Sequence, residues 1–492
     1  MSAADTPEPA DPDVAVVGAG PAGLAAADLL GRHDVDVLVV DEQQRPGGQI
    51  YRQPPPGPGS PTASTAGQRL ISAATRHPTV RWWHRTTAWG TFRTGEPAGA
   101  ARLELATSGP QGSRLLRPRR LLLTAGAYDL PVPLPGWTLP GVMTAGGVQV
   151  LLKSQRILPG RRFVLAGAHP LLLVVAAQLV EAGADVAEVA LAQTRMPLPT
   201  ALRGLRALPG HLGKAAEGAR ALAVLRRARV PVRGGTVVRR ADGDTDLESV
   251  TLASVNEDWT VRKGTDRVLA CDTLALGYGF VPSVELALQS GCEVRWDRPA
   301  GGWTTAVGPY QRTTVPDISA AGEITGVAGA EQAVTEGRLA AVGILADLGI
   351  VNEADARRLA RPLHRDLARR RRFSSFISTA FAPDDTALAA LADDTTVICR
   401  CEEVTVGTVR EALRGHPHLR SANAVKLLTR TGMGLCQGRS CGLAVCRLIA
   451  TETGQSPQDV GGFTARAPVK PVTVQNLLTP SATGPDEATA PA

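Results

Sequence analysis

Lysine, aromatic side chains, methionine and long apolar runs are all scarce in this chain of 492 residues. Five of its 53 basic residues are lysine, aromatics make up 4%, and methionine occurs four times. So few rings leave no interleaved stacking platform beside the one concentrated basic run, Arg369 to Arg372, and that run reads as a solvated helix face rather than a nucleic-acid surface. Gly, Pro or charge interrupts each apolar stretch well before the ~20 residues a membrane-spanning helix requires. Residues Met1 to Pro12 are acidic and rich in Pro and Ala, without a basic or apolar leader region, and predict no secretory signal. Seven cysteines are too few for a disulfide scaffold in a chain of this size. The expectation is a cytoplasmic protein with no transmembrane segment and no nucleic-acid partner, reaching a membrane only peripherally through its partners.

What is abundant is glycine and proline, 52 and 37 residues, alongside 43% hydrophobic and 20% charged residues and a net charge of +7. That composition suits an α/β interior packed from Ala, Val and Leu and broken by many tight turns. At about 150 residues per domain, the length suggests about three domains.

The first motif is Val14-Ala15-Val16-Val17, then Gly18-Ala19-Gly20-Pro21-Ala22-Gly23, an Ala/Leu-rich helix, and Val37-Leu38-Val39-Val40-Asp41-Glu42. Strand, glycine turn, helix, strand and terminal acid stand in the order of a dinucleotide-binding unit. Gly18 permits the tight turn, Gly20 admits a pyrophosphate to the backbone, and Gly23 lets the helix lie close to the sheet. The helix N-terminus offers N–H groups to phosphate, and Asp41, with Glu42 beside it, is placed to accept the ribose hydroxyls. Pro21 gives the turn the GxGPAG form common in flavoproteins with two dinucleotide domains. In such proteins Pro46-Gly47-Gly48-Gln49 runs beside the flavin. Thr124-Ala125-Gly126 resembles the turn where the chain leaves for the second domain, and Gly277-Tyr278-Gly279 its return. Gly322-Glu323 stands where such flavoproteins carry Gly-Asp on the ribityl chain, one methylene longer.

A second unit, Phe163-Val164-Leu165-Ala166-Gly167 and an apolar helix to about Gly183, has His169 and Leu172 in place of the second and third glycines. Side chains there are expected to obstruct pyrophosphate and close helix packing, so this unit reads as a Rossmann-like domain that has lost NAD(P)H binding. No CxxC accompanies the flavin motifs, which excludes dithiol chemistry of the thioredoxin reductase kind.

Cys271 and Cys292 stand apart as packed thiols, while five cysteines crowd the C-terminal region. Cys399-x-Cys401 and Cys436-x4-Cys441 can supply four thiolates to one centre, with Gly432, Gly434, Gly438 and Gly442 exposing N–H groups around them. Structural zinc is the competing reading, although CxC suits a zinc knuckle poorly. Lys426, Arg430 and Arg439 are expected to offset the thiolate charge, and Cys446 to be a packed thiol.

The stretch CRCEEV…TRTGMGLCQGRSC resembles the bacterioferritin-associated-ferredoxin-like 2Fe-2S domain. Residues 13–458 as a whole, with DEQQRPGGQIYRQ and GEITGVAGAEQAVTEG, resemble the large subunits of heteromeric flavin-dependent amine dehydrogenases: the A subunit of opine oxidase, the B subunit of hydrogen cyanide synthase, and the α subunits of dye-linked proline and hydroxyproline dehydrogenases. The resemblance implies an α/β two-dinucleotide-binding flavoprotein fold, one Rossmann-like domain inserted in the other, plus a small C-terminal helical 2Fe-2S domain. The corresponding boundaries are 13–150 with 280–347 for the FAD or adenine-nucleotide domain and 151–279 for the degenerate NAD(P)-like domain. A helical connector (348–392), the cluster domain (393–458) and an extended or disordered tail (459–492) complete the chain. It implies cofactor contacts from Gly18, Gly20, Pro21, Ala22, Gly23, Asp41, Glu42, Gly48, Gln49, Ala125, Gly126, Gly322 and Glu323, and cluster ligation by Cys399, Cys401, Cys436 and Cys441. FAD, or ATP or NAD in the same groove, would accompany the cluster, with FMN at a subunit interface in some relatives. The partners implied are a β subunit similar to D-amino acid oxidase, an external electron acceptor and a further small ferredoxin-like subunit. Neither a nucleophile nor an acid/base constellation is recognisable, since His84, His364, His416 and His418 stand in none, so no catalytic residue is assigned. A stand-alone NAD(P)H:acceptor reductase and a non-enzymatic scaffold with structural zinc are the alternatives.

Overall fold

A computed structural model describes residues 11–53, 65–94, 102–110, 112–194 and 210–478, together with positions 200, 204 and 207. Most of the Pro/Gly/Ser-rich segment 54–66, up to residue 64, and the chain after 478 lie outside the described residues.

Two five-stranded parallel sheets form the body. The first runs, in spatial order, Ile318–Ala320, Arg120–Leu123, Val14–Val17, Val37–Val40 and Val80–Trp83. Its central strands are unbroken apolar runs because both faces are covered, and all four residues of Val37–Val40 are buried. Helix Pro21–Gly31 opens with proline at its first turn, where the missing N–H costs nothing. It packs against helix Ala330–Asp347 so closely that a Cβ on Gly337 would stand 2.1 Å from the carbonyl oxygen of Ala22. The second sheet runs Val232–Gly234, Asp185–Leu191, Arg162–Gly167, Thr273–Gly277 and Val142–Thr144. A three-stranded antiparallel sheet accompanies each, Thr87–Leu116 beside the first and Thr236–Ala270 beside the second.

The chain passes between the two bodies on a two-stranded antiparallel ribbon, outward at Ala127–Asp129 and back at Phe280–Pro282. The outward crossing therefore precedes the expected boundary at 150. Val142–Thr144 is already the edge strand of the second sheet, because its Val/Met/Thr backbone pairs with Leu274–Leu276. Beyond the sheets, the helix Glu353–Phe381 accommodates Pro362 and lays Ala356, Ala360 and Leu367 on Leu339 and Val342. A small module follows, with strands Val397–Cys399 and Val404–Thr405 and helices Val406–Gly415, Ala422–Thr429 and Gly442–Thr453 around Val409, Val425, Val445 and Ile449. It is seated on the second body through Trp137, whose indole N–H donates to the Val397 carbonyl at 2.6 Å, and through the Arg447–Asp385 ion pair at 2.6 Å.

The segment after Gly461 is an ordered arm as far as residue 478. Val469 is buried against the first body and donates its N–H to the carbonyl of Trp89 at 2.8 Å; Asn476 reaches Ser108 at 2.7 Å. Its low aromatic and high Pro/Thr content favours an unstructured reading, but the Val469–Trp89 hydrogen bond, the burial of Val469 and Phe463 packing supply what its own composition cannot.

The glycine contacts give a paired test. Gly337→Ala should lower stability by about 1–3 kcal/mol, because the added methyl meets backbone that cannot yield. Gly218→Ala, where a Cβ would meet nothing within 4 Å in the helix Leu212–Arg227, should raise it by about 0.5–1 kcal/mol through helix propensity. Thermal unfolding midpoints of the two variants moving in the same direction would contradict this packing.

Candidate functional site

A cavity of about 970 Å³ opens at the carboxyl ends of the first sheet and extends to the second body. Gly18, Gly20, Pro21, Ala22, Asp41, Glu42, Gly48, Gln49, Ala125, Gly126, Gly322 and Glu323 all line it. Gly23 does not. Its role is packing, since a Cβ there would lie 2.0 Å from the Gly18 carbonyl oxygen. Gly18, at φ +106°, is held against Thr124, whose hydroxyl donates to the carbonyls of Val17 (2.9 Å) and Gly18 (2.8 Å). At Gly20 the situation is reversed. A Cβ would meet no protein atom within 4 Å, and the helix starting at Pro21 has no side-chain cap. Open space over uncapped helix amides is what a pyrophosphate requires, so the groove fits a dinucleotide.

The acids are arranged differently from expectation. Asp41 lines the groove and also holds the glycine turn. Its Oδ2 accepts the Ala19 N–H at 2.6 Å and its Oδ1 the Gln43 N–H at 2.7 Å, while burial raises its pKa. It therefore braces the glycine turn from below, and each oxygen keeps a second acceptor site. Glu42 pairs with Lys470 of the C-terminal arm, which closes one wall of the cavity. Glu323, in the ribityl position, turns its Oε1 to the N–H groups of Gly329 (2.6 Å) and Ala328 (3.3 Å) at the start of the helix Ala330–Asp347. Burial pushes its pKa up, and those amides act against the rise.

Two carboxylates in this region are invisible to sequence reasoning. Glu336 is buried and accepts from Gly322 N–H (2.9 Å), the Thr325 hydroxyl (2.9 Å) and the Gln332 amide (3.0 Å), which fixes the Gly322–Glu323 turn. Asp129, on the crossing ribbon, accepts from Thr144 at 3.0 Å and Gly146 at 3.1 Å. Nothing in the local pattern of either residue distinguishes it from a surface acid; only the topology buries them.

The second body presents a closed counterpart. The N–H groups of Ala168 and His169 both donate to the Gly277 carbonyl, at 3.0 and 2.9 Å, and that of Leu171 to His169 Nδ1 at 3.2 Å. Pro170 has no N–H. The donors a pyrophosphate would need at this turn are thus consumed within the protein. Burial lowers the His169 pKa to about 4, so its imidazole is neutral at pH 7 and offers no cation. Leu172 does not hold the helix away as expected: it is fully buried, and Gly277 on the neighbouring strand vacates the space it fills.

In the C-terminal module the four expected cysteines are unpaired by disulfides. Among the described residues no three His, Cys, Asp or Glu side chains converge as a single-ion site would require. The thiols instead run pairwise, Cys441 to Cys399 and to Cys436, and Cys436 to Cys401. Hydrogen bonding from Cys441, then from loop amides, pulls Cys436 down to about 4 and Cys399 to about 6; the donor Cys441 is pushed up in return. Cys401 is also raised: the Cys436 amide favours its thiolate, but burial and the Cys436 charge outweigh that help. The cations expected to balance these thiolates are engaged elsewhere. Arg430 pairs with Glu402 at 2.8 Å, Lys426 lies over the Phe463 ring, and Arg439 turns to Glu285 and the arm. Amides do that work instead, with Gly432 N–H 3.4 Å from Cys399 Sγ. Phe463, which no sequence motif singles out, covers Gly432 and Gly438, both at φ +84°, where a Cβ would meet its ring at 2.5 Å. Cys446 is a packed thiol facing the Pro457 carbonyl at 3.3 Å.

A family model described as pyridine nucleotide-disulphide oxidoreductase matches residues 12–337. The chain belongs to that family. A second model, the BFD-like [2Fe-2S] binding domain, matches residues 397–451. Together they give FAD and a 2Fe-2S cluster as the cofactors, and the cluster reading prevails over structural zinc. Among curated proteins, the A subunit of opine oxidase from Agrobacterium tumefaciens is 36% identical over 94% of this chain and 91% of its own. Hydrogen cyanide synthase subunit HcnB of Pseudomonas aeruginosa is 34% identical over 94% and 98%. The alpha subunit of sarcosine oxidase from Corynebacterium is 26% identical, with this chain spanning 44% of its length. Among solved structures, L-proline dehydrogenase from P. horikoshii superposes with a TM-score of 0.67 at 19% identity, covering 95% of this chain and 79% of that one. The family, the fold class and the resemblance to heteromeric oxidase subunits drawn from the sequence all hold.

Two substitutions separate the sites. Gly20→Val should leave a folded protein, since the protein itself leaves that space free, yet one purified without nucleotide; full nucleotide content would show the groove misread. Cys436→Ser should abolish the EPR signal of the reduced cluster while nucleotide content stays at the unmodified level. Stoichiometric zinc and no sulfide in the parent protein would contradict the assignment of these four ligands.

Proposed function

We propose that this chain is the electron-transfer subunit of a heteromeric flavin-dependent amine or amino-acid dehydrogenase, of the opine, proline, hydroxyproline or glycine type. The carrying observation is an intact first groove beside a second whose phosphate donors are already consumed, in a chain similar over nearly its whole length to subunits of opine oxidase and hydrogen cyanide synthase. A chain with no nicotinamide site has to receive electrons through another surface. The proposed donor is a β subunit similar to D-amino acid oxidase, and the proposed acceptor is a one-electron carrier. A further partner is a small ferredoxin-like subunit.

The division of labour between the sites follows from their residues. The glycine turn at Gly18–Gly23, braced by Asp41 and Thr124, would hold a pyrophosphate; Gly126 faces open space for the rest of the nucleotide, while Gly48 and Gly322 let the neighbouring loops close on Gly20 and Ala22. When bound, a flavin accepts electrons in pairs and releases them singly, which matches it to an iron–sulfur centre limited to one. Cys399, Cys401, Cys436 and Cys441 would hold that centre, the loop amides stabilising its thiolates. FMN at the subunit interface and an adenine nucleotide in the first groove are variants of this arrangement that cofactor extraction from the assembled complex would identify. No described helix is long and apolar enough to cross a membrane, which fits the proposed cytoplasmic location.

Anaerobic mixing of the purified chain with NADH, NADPH or a panel of amines should leave its flavin and cluster oxidised. Addition of the partner subunit with its amine should bleach both. Rapid reduction of the isolated chain by either nicotinamide would replace this reading with a stand-alone reductase.

A further inference from the structure

The four-cysteine loop reaches the first body through a tyrosine of the crossing ribbon. Tyr128 lines the large cavity, and its hydroxyl donates to Glu285 Oε1 at 3.3 Å. Ser283 donates to the other oxygen of Glu285 at 2.9 Å. The same Oε1 faces Arg439 Nε at 3.7 Å, a buried nitrogen with no hydrogen bond of its own. Arg439 belongs to the loop between Cys436 and Cys441. Its Nη1 donates to the Cys436 carbonyl at 3.1 Å and its Nη2 to the Val469 carbonyl of the arm. One guanidinium therefore ties three separate pieces: the cysteine loop, the arm and the cavity wall. Tyr128 is thus joined to Cys436 through Glu285 and Arg439, at 3.3, 3.7 and 3.1 Å.

We propose that Tyr128, Glu285 and Arg439 are positioning residues that fix the Cys436 side of the cluster against the cavity, so that Tyr128 and Cys436 form the path by which electrons enter the cluster. The inference rests on the electron-transfer function proposed above. Each transfer moves one electron from the reduced group in the cavity to the oxidised cluster, taking its ferric pair to one ferric and one ferrous iron, and a turnover takes two such transfers. The one-electron acceptor must withdraw that electron before the second crosses by the same route. Structural economy supports the assignment. A loop that needed only to fold would not leave a buried arginine nitrogen aimed at a carboxylate of another domain, because an unmatched buried donor is costly. Glu285 offsets the arginine charge, and Ser283 and Tyr128 hold the carboxylate in place.

The test uses the full chain carrying both cofactors. Anaerobic mixing with substoichiometric dithionite in a stopped-flow instrument should show flavin reduction, followed by an internal phase in which the flavin band recovers as the cluster band bleaches. Arg439→Gln and Tyr128→Leu should slow that internal phase about tenfold or more, because either change frees the cysteine loop to move away from the cavity. Both should retain the unmodified EPR signal per protein after excess dithionite, which a generally damaged cluster domain would not. If Arg439→Gln loses its cluster, Tyr128→Leu, outside the cysteine loop, decides alone. An internal phase present in the unmodified chain and unchanged in a cluster-loaded variant overturns the entry path and spares the proposed function. Absence of that phase in the unmodified chain overturns both.

Discussion

The first groove depends on backbone meeting backbone where no side chain fits. Gly23 lies on the Gly18 carbonyl, Gly18 on the Thr124 carbonyl, and Gly337 on the Ala22 carbonyl, so the turn, the first helix, the neighbouring strand and the last long helix of the first body share one contact region. Each approach is closer than a methyl group tolerates, and together they set the helix N-terminus at the level of the sheet's carboxyl edge. Buried Asp41 and Glu336 then spend their oxygens on the backbone N–H groups of the two turns, at Ala19 and Gly322. With the turns held by the protein's own acids, the remaining donors at Gly20 and the helix start are free to face a ligand. The second body shows what happens without this arrangement: its turn donates to its own neighbouring strand, and its helix is held by a leucine in a space that Gly277 yields.

Legibility followed the range of the interactions. The strands around Val14, Val37, Leu121 and Phe163 could be read because buried parallel strands are continuous apolar runs, and the glycine turn because its spacing is a local steric requirement. The four clustered cysteines were legible for the same reason. Glu336, Asp129 and Phe463 were not, since each acts on residues that only the fold brings near: Phe463 covers Gly432 from beyond the module's last long helix, and Asp129 holds Gly146 at the start of another element. The bonds from Asp41 to the glycine turn and the engagements of Lys426, Arg430 and Arg439 were similarly hidden. Charge near a site is visible in sequence; which partner claims it is decided by distance in space.

The cluster module illustrates how thiolates are accommodated without a matching set of cations. Glycines at positive φ turn amides toward sulfur, and an aromatic ring lies over the same glycines, so the donors sit in a partly desolvated pocket where each hydrogen bond weighs more than it would in water. Arg439 is thereby released to fasten the module to the rest of the chain, while Arg430 closes an ion pair within it.

The arm after Gly461 carries a consequence for the order of assembly. Val469 and Lys470 complete a wall of the cavity whose floor is made by residues 18–48, yet they are synthesised only after both sheets and the cysteine module. A nascent chain therefore displays its glycine turn to solvent throughout the translation of everything in between. A nucleotide captured in that interval lacks the contacts of the arm, and docking of the arm adds the Val469–Lys470 wall to the groove. Loading and retention of the cofactor thus become separate events, the first a property of the earliest residues made and the second of the latest.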